Sequence, residues 1–263
     1  MEEREMKVED IMTKKVISVA KNRALSDAVK LMEKKRISRV LVTSDGEPCG
    51  MLTEKDISDH IGTSRHGESI PSSLHISTAM SPSIITIGKD ASIAAAAKTM
   101  LKKGVSSLPV LHGKELVGII TKTDIVRTLA ESDEKFEKIM KTDVVAVSPA
   151  DRIVHARRLM LDNKIGRVVV LEEGKIVGIL TNMRAAKALY NFKQNTDRGH
   201  ASRIRTITVE DAMTPTVITL DVGAKVKEAV QIMIENKFSG IPLTREGRLA
   251  GVVTKTDMLK IVK

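Results

Sequence analysis

Four heptads of one pattern punctuate the chain: GMLTEKD at 50–56, GIITKTD at 118–124, GILTNMR at 178–184 and GVVTKTD at 251–257. Three close on Asp56, Asp124 and Asp257, and the other closes on Arg184. A carboxylate presents two acceptor oxygens, which suits a cis-diol, while Thr hydroxyls and the free N–H groups at a helix start suit phosphate. The same aspartates could instead cap the helix that follows each heptad. An arginine only donates, so the third heptad, with Asn182-Met183 before Arg184, is expected to have lost any diol site. Arg184 then either reaches phosphates in a neighbouring site or serves as a surface or salt-bridging residue.

The heptads stand at fixed positions in a longer repeat. From Met12, Met80, Met140 and Met213, the Gly that opens the heptad lies 38 residues on in every case. Between these marks run Leu25, Ala28 and Met32; Ile93, Ala96 and Met100; Ile153, Ala156 and Met160; Val226, Ala229 and Met233. That i, i+3, i+7 spacing is the buried stripe of an amphipathic helix, with Met as core filler. Short β-branched runs precede the helix: VISV at 16–19, IITI at 84–87, VVAV at 144–147 and VITL at 217–220. Two further strands follow it, turning at Asp45-Gly46, His112-Gly113, Glu173-Gly174 and Glu246-Gly247. After the heptad comes a second helix. Each unit is thus β-α-β-β-α, an α+β pattern, and at about 55 residues is too small to cover its own sheet. Four domains are expected, at 8–61, 76–130, 136–190 and 209–263. Long linkers separate the first from the second and the third from the fourth, whereas only ESDEK joins the second to the third. Two closely joined pairs, one with two and three with four, are therefore expected.

These features resemble the cystathionine-β-synthase (CBS) domain family. The resemblance rests on the leading VEDIM and VEDAM, on second strands of the SRVLV and SSLPV type, and on the closing G-h-h-T-x-x-D, where h is apolar. Four copies in register are similar to the gamma subunit of AMP-activated protein kinase and to stand-alone archaeal CBS proteins. The resemblance implies two tandem pairs in a flat, disc-like assembly, with AMP, ADP or ATP bound in clefts between paired domains. It implies that the heptad Asp bonds both ribose hydroxyls and that nearby hydroxyls contact ribose or phosphate. Carried onto this chain, repeat one supplies Ser18, Thr53 and Asp56. Repeat two supplies Thr86, Thr121, Thr123 and Asp124, and repeat four Thr219, Thr254, Thr256 and Asp257. Arg39 and Arg167 stand where family members often place a phosphate-facing base. Ser107 and Gly240 occupy that place in repeats two and four, so basic partners are expected across the pair interface. A regulated protein partner and face-to-face homodimerisation are also implied.

Net charge is +10, and the second half of the chain is the more basic. Within RAAKALYNFKQNTDRGHASRIR at 184–205, Arg184, Lys187, Lys193, Arg198, Arg203 and Arg205 accompany the only Tyr, Tyr190. Basic residues interleaved with aromatics can neutralise phosphates and stack on bases. This stretch is therefore the candidate contact for RNA or a ribosomal subunit, the other reading being a solvated helix and loop. No P-loop, G-x-S-x-G or spaced His/Cys/Asp cluster is present, so neither catalysis nor a metal is expected. One cysteine, no apolar run of about 20 residues and a polar start lead to the expectation of a soluble, cytoplasmic protein without a membrane span.

Overall fold

The computed structural model describes residues 5–63, 74–194 and 206–262. A short leader helix, α1 (Val8–Ile11), precedes repeat one, which is built from β1 (Ser18–Ala20), α2 (Leu25–Lys35), β2 (Arg39–Ser44), β3 (Glu47–Thr53) and α3 (Glu54–Thr63). Repeat two has β4 (Ile87–Gly88), α4 (Ile93–Lys103), β5 (Ser107–His112), β6 (Glu115–Thr121) and α5 (Lys122–Arg127). Repeat three has β7 (Ala146–Val147), α6 (Ile153–Asp162), β8 (Arg167–Glu172), β9 (Lys175–Thr181) and α7 (Asn182–Gln194). Repeat four has β10 (Leu220–Asp221), α8 (Val226–Glu235), β11 (Gly240–Arg245), β12 (Arg248–Thr254) and α9 (Lys255–Met258). Every repeat forms a three-stranded sheet whose first strand runs parallel to the second and whose second and third form a hairpin. The α+β expectation is met four times.

Local chemistry explains these elements. Asp45 and Gly46, Glu173 and Gly174, and Glu246 and Gly247 all take positive φ, as a two-residue hairpin turn of the right twist requires. The central stripe of each first helix is buried, including Met32, Met100, Met160 and Met233, which confirms their place in the core. The first strands are shorter and later than the apolar runs predict. The reason lies in the route of the chain: it passes from one compact unit to another at Val16/Ile17, Ile84/Ile85, Val144/Val145 and Val217/Ile218, so the first half of each run is a crossing.

The molecule divides into two compact units, and they combine alternate repeats. Of the described residues, unit 1 takes those within Met1–Val16, Ile85–Val144 and Ile218–Lys263; unit 2 takes Ile17–Ile84 and Val145–Val217. Unit 1 thus holds repeats two and four with the leaders of one and three. Unit 2 holds repeats one and three with the leaders of two and four. Every leader therefore packs on its tandem neighbour. Thr13 bridges to Ile119 and Lys141 to Val252 in unit 1, and Ser81 bridges to Met51 and Thr214 to Ile179 in unit 2. This exchange is how the tandem pairing appears. Linker lengths did not foretell that repeats two and four, and one and three, share compact units.

The two units differ in how their repeats join. In unit 1 one continuous apolar core runs through both repeats, from Val8 and Met100 to Ile125, Met258 and Leu259. In unit 2 the core forms two clusters, one in repeat three and another in repeat one that takes in Ala186 and Met183 from α7 of repeat three. There α3 packs along α7 with a polar seam beside the apolar contact of Ile57 with α7: Ser58 Oγ donates to the Asn182 carbonyl at 3.2 Å, and Asn182 Nδ2 to Asp59 Oδ1 at 3.4 Å. Arg157, on α6, is buried and donates through Nη2 to the Ser58 carbonyl at 3.1 Å. Its Nε and the Asn182 Oδ1 have no hydrogen-bond partner among the described groups. Burial lowers the Arg157 pKa, opposed by the charge of Asp59.

Arg157 stands where the other repeats carry Val29, Ala97 and Val230. An unmade buried hydrogen bond costs about 1–3 kcal/mol, and apolar replacement of buried charge is often neutral or stabilising. Arg157→Val is accordingly expected to melt at or above the parent temperature. A fall of several degrees in calorimetry would show that the guanidinium holds the seam together.

Candidate functional site

Each heptad spans a strand end and the start of the second helix, so its Thr and its last residue fall one helical turn apart. In repeat two, Thr121 is the N-cap of α5, and the Asp124 carboxylate reaches back to it. Asp124 Oδ2 accepts from Thr121 N at 2.8 Å and from Thr121 Oγ1 at 2.7 Å, while Asp124 N points to Thr121 Oγ1 at 3.4 Å. Repeat four repeats the arrangement, with Asp257 Oδ2 accepting from Thr254 N at 3.1 Å and Oγ1 at 2.6 Å. Repeat one does so too, with Asp56 Oδ2 2.8 Å from Thr53 N and 2.6 Å from Thr53 Oγ1. This is a capping box in which Thr is the cap and Asp the reciprocal acid. The helix cap is therefore the threonine and not the aspartate, which stands three residues into the turn.

The box engages Oδ2 and leaves Oδ1 turned to other groups. Asp56 Oδ1 accepts from Ser81 Oγ at 3.3 Å, Asp257 Oδ1 from Lys260 Nζ at 3.0 Å, and Asp124 Oδ1 lies 3.8 Å from Arg127 Nη1. Asp257 is fully buried and Asp124 nearly so. Three carboxylates are thus fixed in orientation by their own threonines, each with one oxygen paired to a polar or cationic side chain that a ligand hydroxyl could displace.

The second strand begins opposite the heptad Thr in every repeat: Arg39 faces Thr53, Ser107 faces Thr121, Arg167 faces Thr181 and Gly240 faces Thr254. The two arginines are therefore brought to the heptads of their repeats. Arg39 Nη2 donates to Ser38 Oγ at 3.1 Å. Burial brings the Arg167 guanidinium down to about 10, which leaves it charged at neutral pH. Ser18 and Thr86 are exposed and Thr219 is half-buried, and among the described residues no hydrogen bond joins any of them to its heptad.

Arg184 has a definite task. Its Nε donates to the Ala212 carbonyl at 2.6 Å and its Nη2 to the Met213 carbonyl at 3.3 Å, while its N–H approaches Thr181 Oγ1 at 3.3 Å. Repeat three therefore keeps the Thr cap but turns the last heptad residue outward to the leader of repeat four. Arg184 is exposed, as the surface reading expects, but neither alternative drawn from sequence anticipates bonding to backbone carbonyls. Of the basic stretch, Lys187 Nζ pairs with Glu33 Oε1 at 2.9 Å, so its charge and that of Arg184 are engaged within unit 2. Arg198, Arg203 and Arg205 lie outside the described residues, as do the side chains of Tyr190 and Lys193.

Sequence reasoning missed two lysines. Lys122 Nζ donates to Thr256 Oγ1 at 2.9 Å, and Lys255 Nζ donates to Thr123 Oγ1 at 3.0 Å. The heptads of repeats two and four are thus crossed, each lending its lysine to the other's hydroxyl. The basic groups beside these hydroxyls come from the alternate repeat. The signal available in sequence was the shared fifth heptad position, Lys in both.

With four sheets, four capped turns and exchanged leaders in place, comparison with known proteins places the chain in a class: the CBS domain model matches residues 8–63, 75–131, 136–191 and 209–263, and the chain belongs to that family. Its relatives include MJ1225 of Methanocaldococcus jannaschii, 28% identical with 94% of this chain and 95% of that protein covered. The crystal structure of MJ1225, described as a candidate archaeal homolog of g-AMPK, superposes with a TM-score of 0.83 at 26% identity, over 97% of this chain and 99% of that one. MJ1404 of the same organism is 30% identical over 97% of this chain, which spans 61% of that protein's length. A Pyrococcus horikoshii protein shares the fold, with a TM-score of 0.67 at 20% identity over 98% of this chain and 100% of that one. Among the described residues, no helix is long and apolar enough to cross a membrane, and no group of three or more His, Cys, Asp or Glu could hold a metal ion.

Proposed function

We propose that the chain is a non-catalytic regulatory protein that binds adenosine ligands, the nucleotides AMP, ADP or ATP among them, at the heptads of repeats one, two and four and reports their occupancy to a protein partner. The observation that carries this reading is the threefold recurrence of one carboxylate geometry. Asp56, Asp124 and Asp257 are each oriented through Oδ2 by a threonine N–H and hydroxyl. A capping acid needs only that oxygen. The second oxygen, in three places beside a Ser, Arg or Lys donor, suits a ribose hydroxyl that exchanges for the existing donor. Likeness to a candidate homolog of g-AMPK supports an adenosine nucleotide as the ligand class and energy state as the quantity sensed. Repeat three, with Arg184 bonded to carbonyls, is not counted among the sites.

Thermal melting of the purified chain with AMP, ADP and ATP in turn tests the reading. Ligand at a hundred times its dissociation constant stabilises by about 2.7 kcal/mol per site, a shift of several degrees. No shift with any of the three, at millimolar concentration, would defeat it. The substitution Asp257→Asn, which keeps an acceptor for Thr254, is expected to reduce the shift.

A further inference from the structure

We infer that the sites divide by ligand charge: the heptads of repeats two and four take a phosphorylated adenosine ligand, and the heptad of repeat one takes an adenosine ligand without phosphate. The inference rests on the heptads being ribose sites, as proposed above, and assigns each its own chemical class.

In unit 1 the fifth heptad residues are Lys122 and Lys255 and the sixth are Thr123 and Thr256. Beside each sixth-position hydroxyl stands an ammonium from the other repeat, at 3.0 Å for Thr123 and 2.9 Å for Thr256. Lys255 is only 8% exposed, so its charge acts in a poorly screened setting. Arg127 and Lys260 lie on the Oδ1 side of Asp124 and Asp257. Four cations therefore accompany two heptad carboxylates. A phosphate brought to Thr123 or Thr256 meets a hydroxyl and an ammonium already positioned together, the donor set for a charge-assisted hydrogen bond.

Repeat one reverses each of these features. Its fifth heptad residue is Glu54 and its sixth is Lys55, so the sixth-position hydroxyl is gone; in repeat three the same places hold Asn182 and Met183. Lys55 is drawn away along α3 to Asp59 at 2.7 Å, and Lys187 of α7 is paired with Glu33 at 2.9 Å. Glu54 lies within the fields of Arg39 and Lys187, which oppose the upward shift that burial imposes on its carboxyl. The cation that stands opposite Thr53 thus has a carboxylate beside it. A phosphate at this heptad would approach both Glu54 and Asp56, and like charges at close range disfavour it. A nucleoside whose 5′ end carries no negative charge meets no such repulsion, while Asp56 Oδ1 remains available in exchange for Ser81.

The test is titration calorimetry of the intact chain with ATP and, separately, with adenosine. Asp56→Asn is expected to abolish adenosine binding and leave ATP affinity within about twofold. The double variant Lys122→Met/Lys255→Met is expected to weaken ATP by about tenfold or more, the scale of one charge-assisted hydrogen bond, with adenosine unaffected. Because Lys255 is buried and its replacement could disturb folding, Glu54→Lys gives an independent arm: it should bring ATP to repeat one and raise the ATP stoichiometry by one. Equal losses of ATP and adenosine in Asp56→Asn, or an unchanged stoichiometry in Glu54→Lys, would overturn the division by charge while leaving the ribose sites standing. If neither ligand binds the parent chain, the ribose reading itself falls and the division falls with it.

Discussion

Gly50→Ala is expected to destabilise unit 2 by about 1–3 kcal/mol, the usual cost of forcing an extra methyl into a close-packed contact. A β-carbon there would lie 2.7 Å from the Ser81 carbonyl oxygen, with the Met80 sulfur at 3.0 Å. Neither the leader carbonyl nor the strand can move freely, because Met51 N–H donates to Ser81 O at 3.0 Å and Ser81 N–H to Met51 O at 2.9 Å. Gly251→Ala should cost a similar amount in unit 1, where the Lys141 carbonyl oxygen would lie at 2.8 Å. For Gly178→Ala the three nearest atoms all belong to the Met213 side chain and none to a backbone carbonyl; the sulfur can swing aside, and the cost should be the smallest. Denaturant melts of the three variants test this order. If Gly178→Ala proved as damaging as Gly50→Ala, leader backbone contact would not be what the glycines protect. The double variant Gly178→Ala/Met213→Ala should recover part of the single variant's loss.

Arg184→Asp is the second large expectation. It removes donors to the Ala212 and Met213 carbonyls and sets a carboxylate beside those oxygens. Each lost hydrogen bond is worth about 0.5–1.5 kcal/mol, partly offset by a capping box that Asp could form with Thr181. The net loss should be about 1–2 kcal/mol, read as a lower melting temperature. Nucleotide affinity should stay unchanged, since the guanidinium is committed to the leader of repeat four. A variant with parental stability but weakened ATP binding would return Arg184 to the phosphate role. Arg184→Lys, which keeps the charge but loses the two-pronged donor geometry, should fall between parent and Asp in stability.

Much of the fold was legible because it is written in local chemistry repeated four times. The i, i+3, i+7 stripes, the β-branched runs and the positive-φ turns each depend on neighbours within about ten residues, which a repeat displays in register. The recurring Met and Gly were legible only as marks. Their reason is a contact between repeats: Met12 lies against Gly118, Met80 against Gly50, Met140 against Gly251 and Met213 against Gly178. No periodicity within one repeat reports that.

The same limit governs the sites. The threonines and aspartates stood out from spacing alone, but which residue caps the helix depends on whether the Asp side chain turns back, a three-residue geometry invisible in composition. The crossed lysines join residues 134 and 132 positions apart, so only the packing of α5 with α9 brings them together. Arg157 carried a fainter signal. It is the one charged residue among Val29, Ala97, Arg157 and Val230, and a charge written into an apolar column marks either an error of register or a seam between bodies.

The exchanged leaders also bear on how the chain reaches this structure. Val8 N–H bonds to the Ala91 carbonyl and Lys141 N–H to the Val252 carbonyl, so neither leader can finish its contacts until a much later segment has emerged. Folding rates fall as native contacts grow more distant along the chain, since loop closure comes before the contacts that repay it. A nascent chain halted after its first hundred residues would still lack β6, the strand on which α1's leader rests. Acquisition of the native state should therefore be slow and late in synthesis, and the apolar sheet faces would stand open to chaperones in the interval.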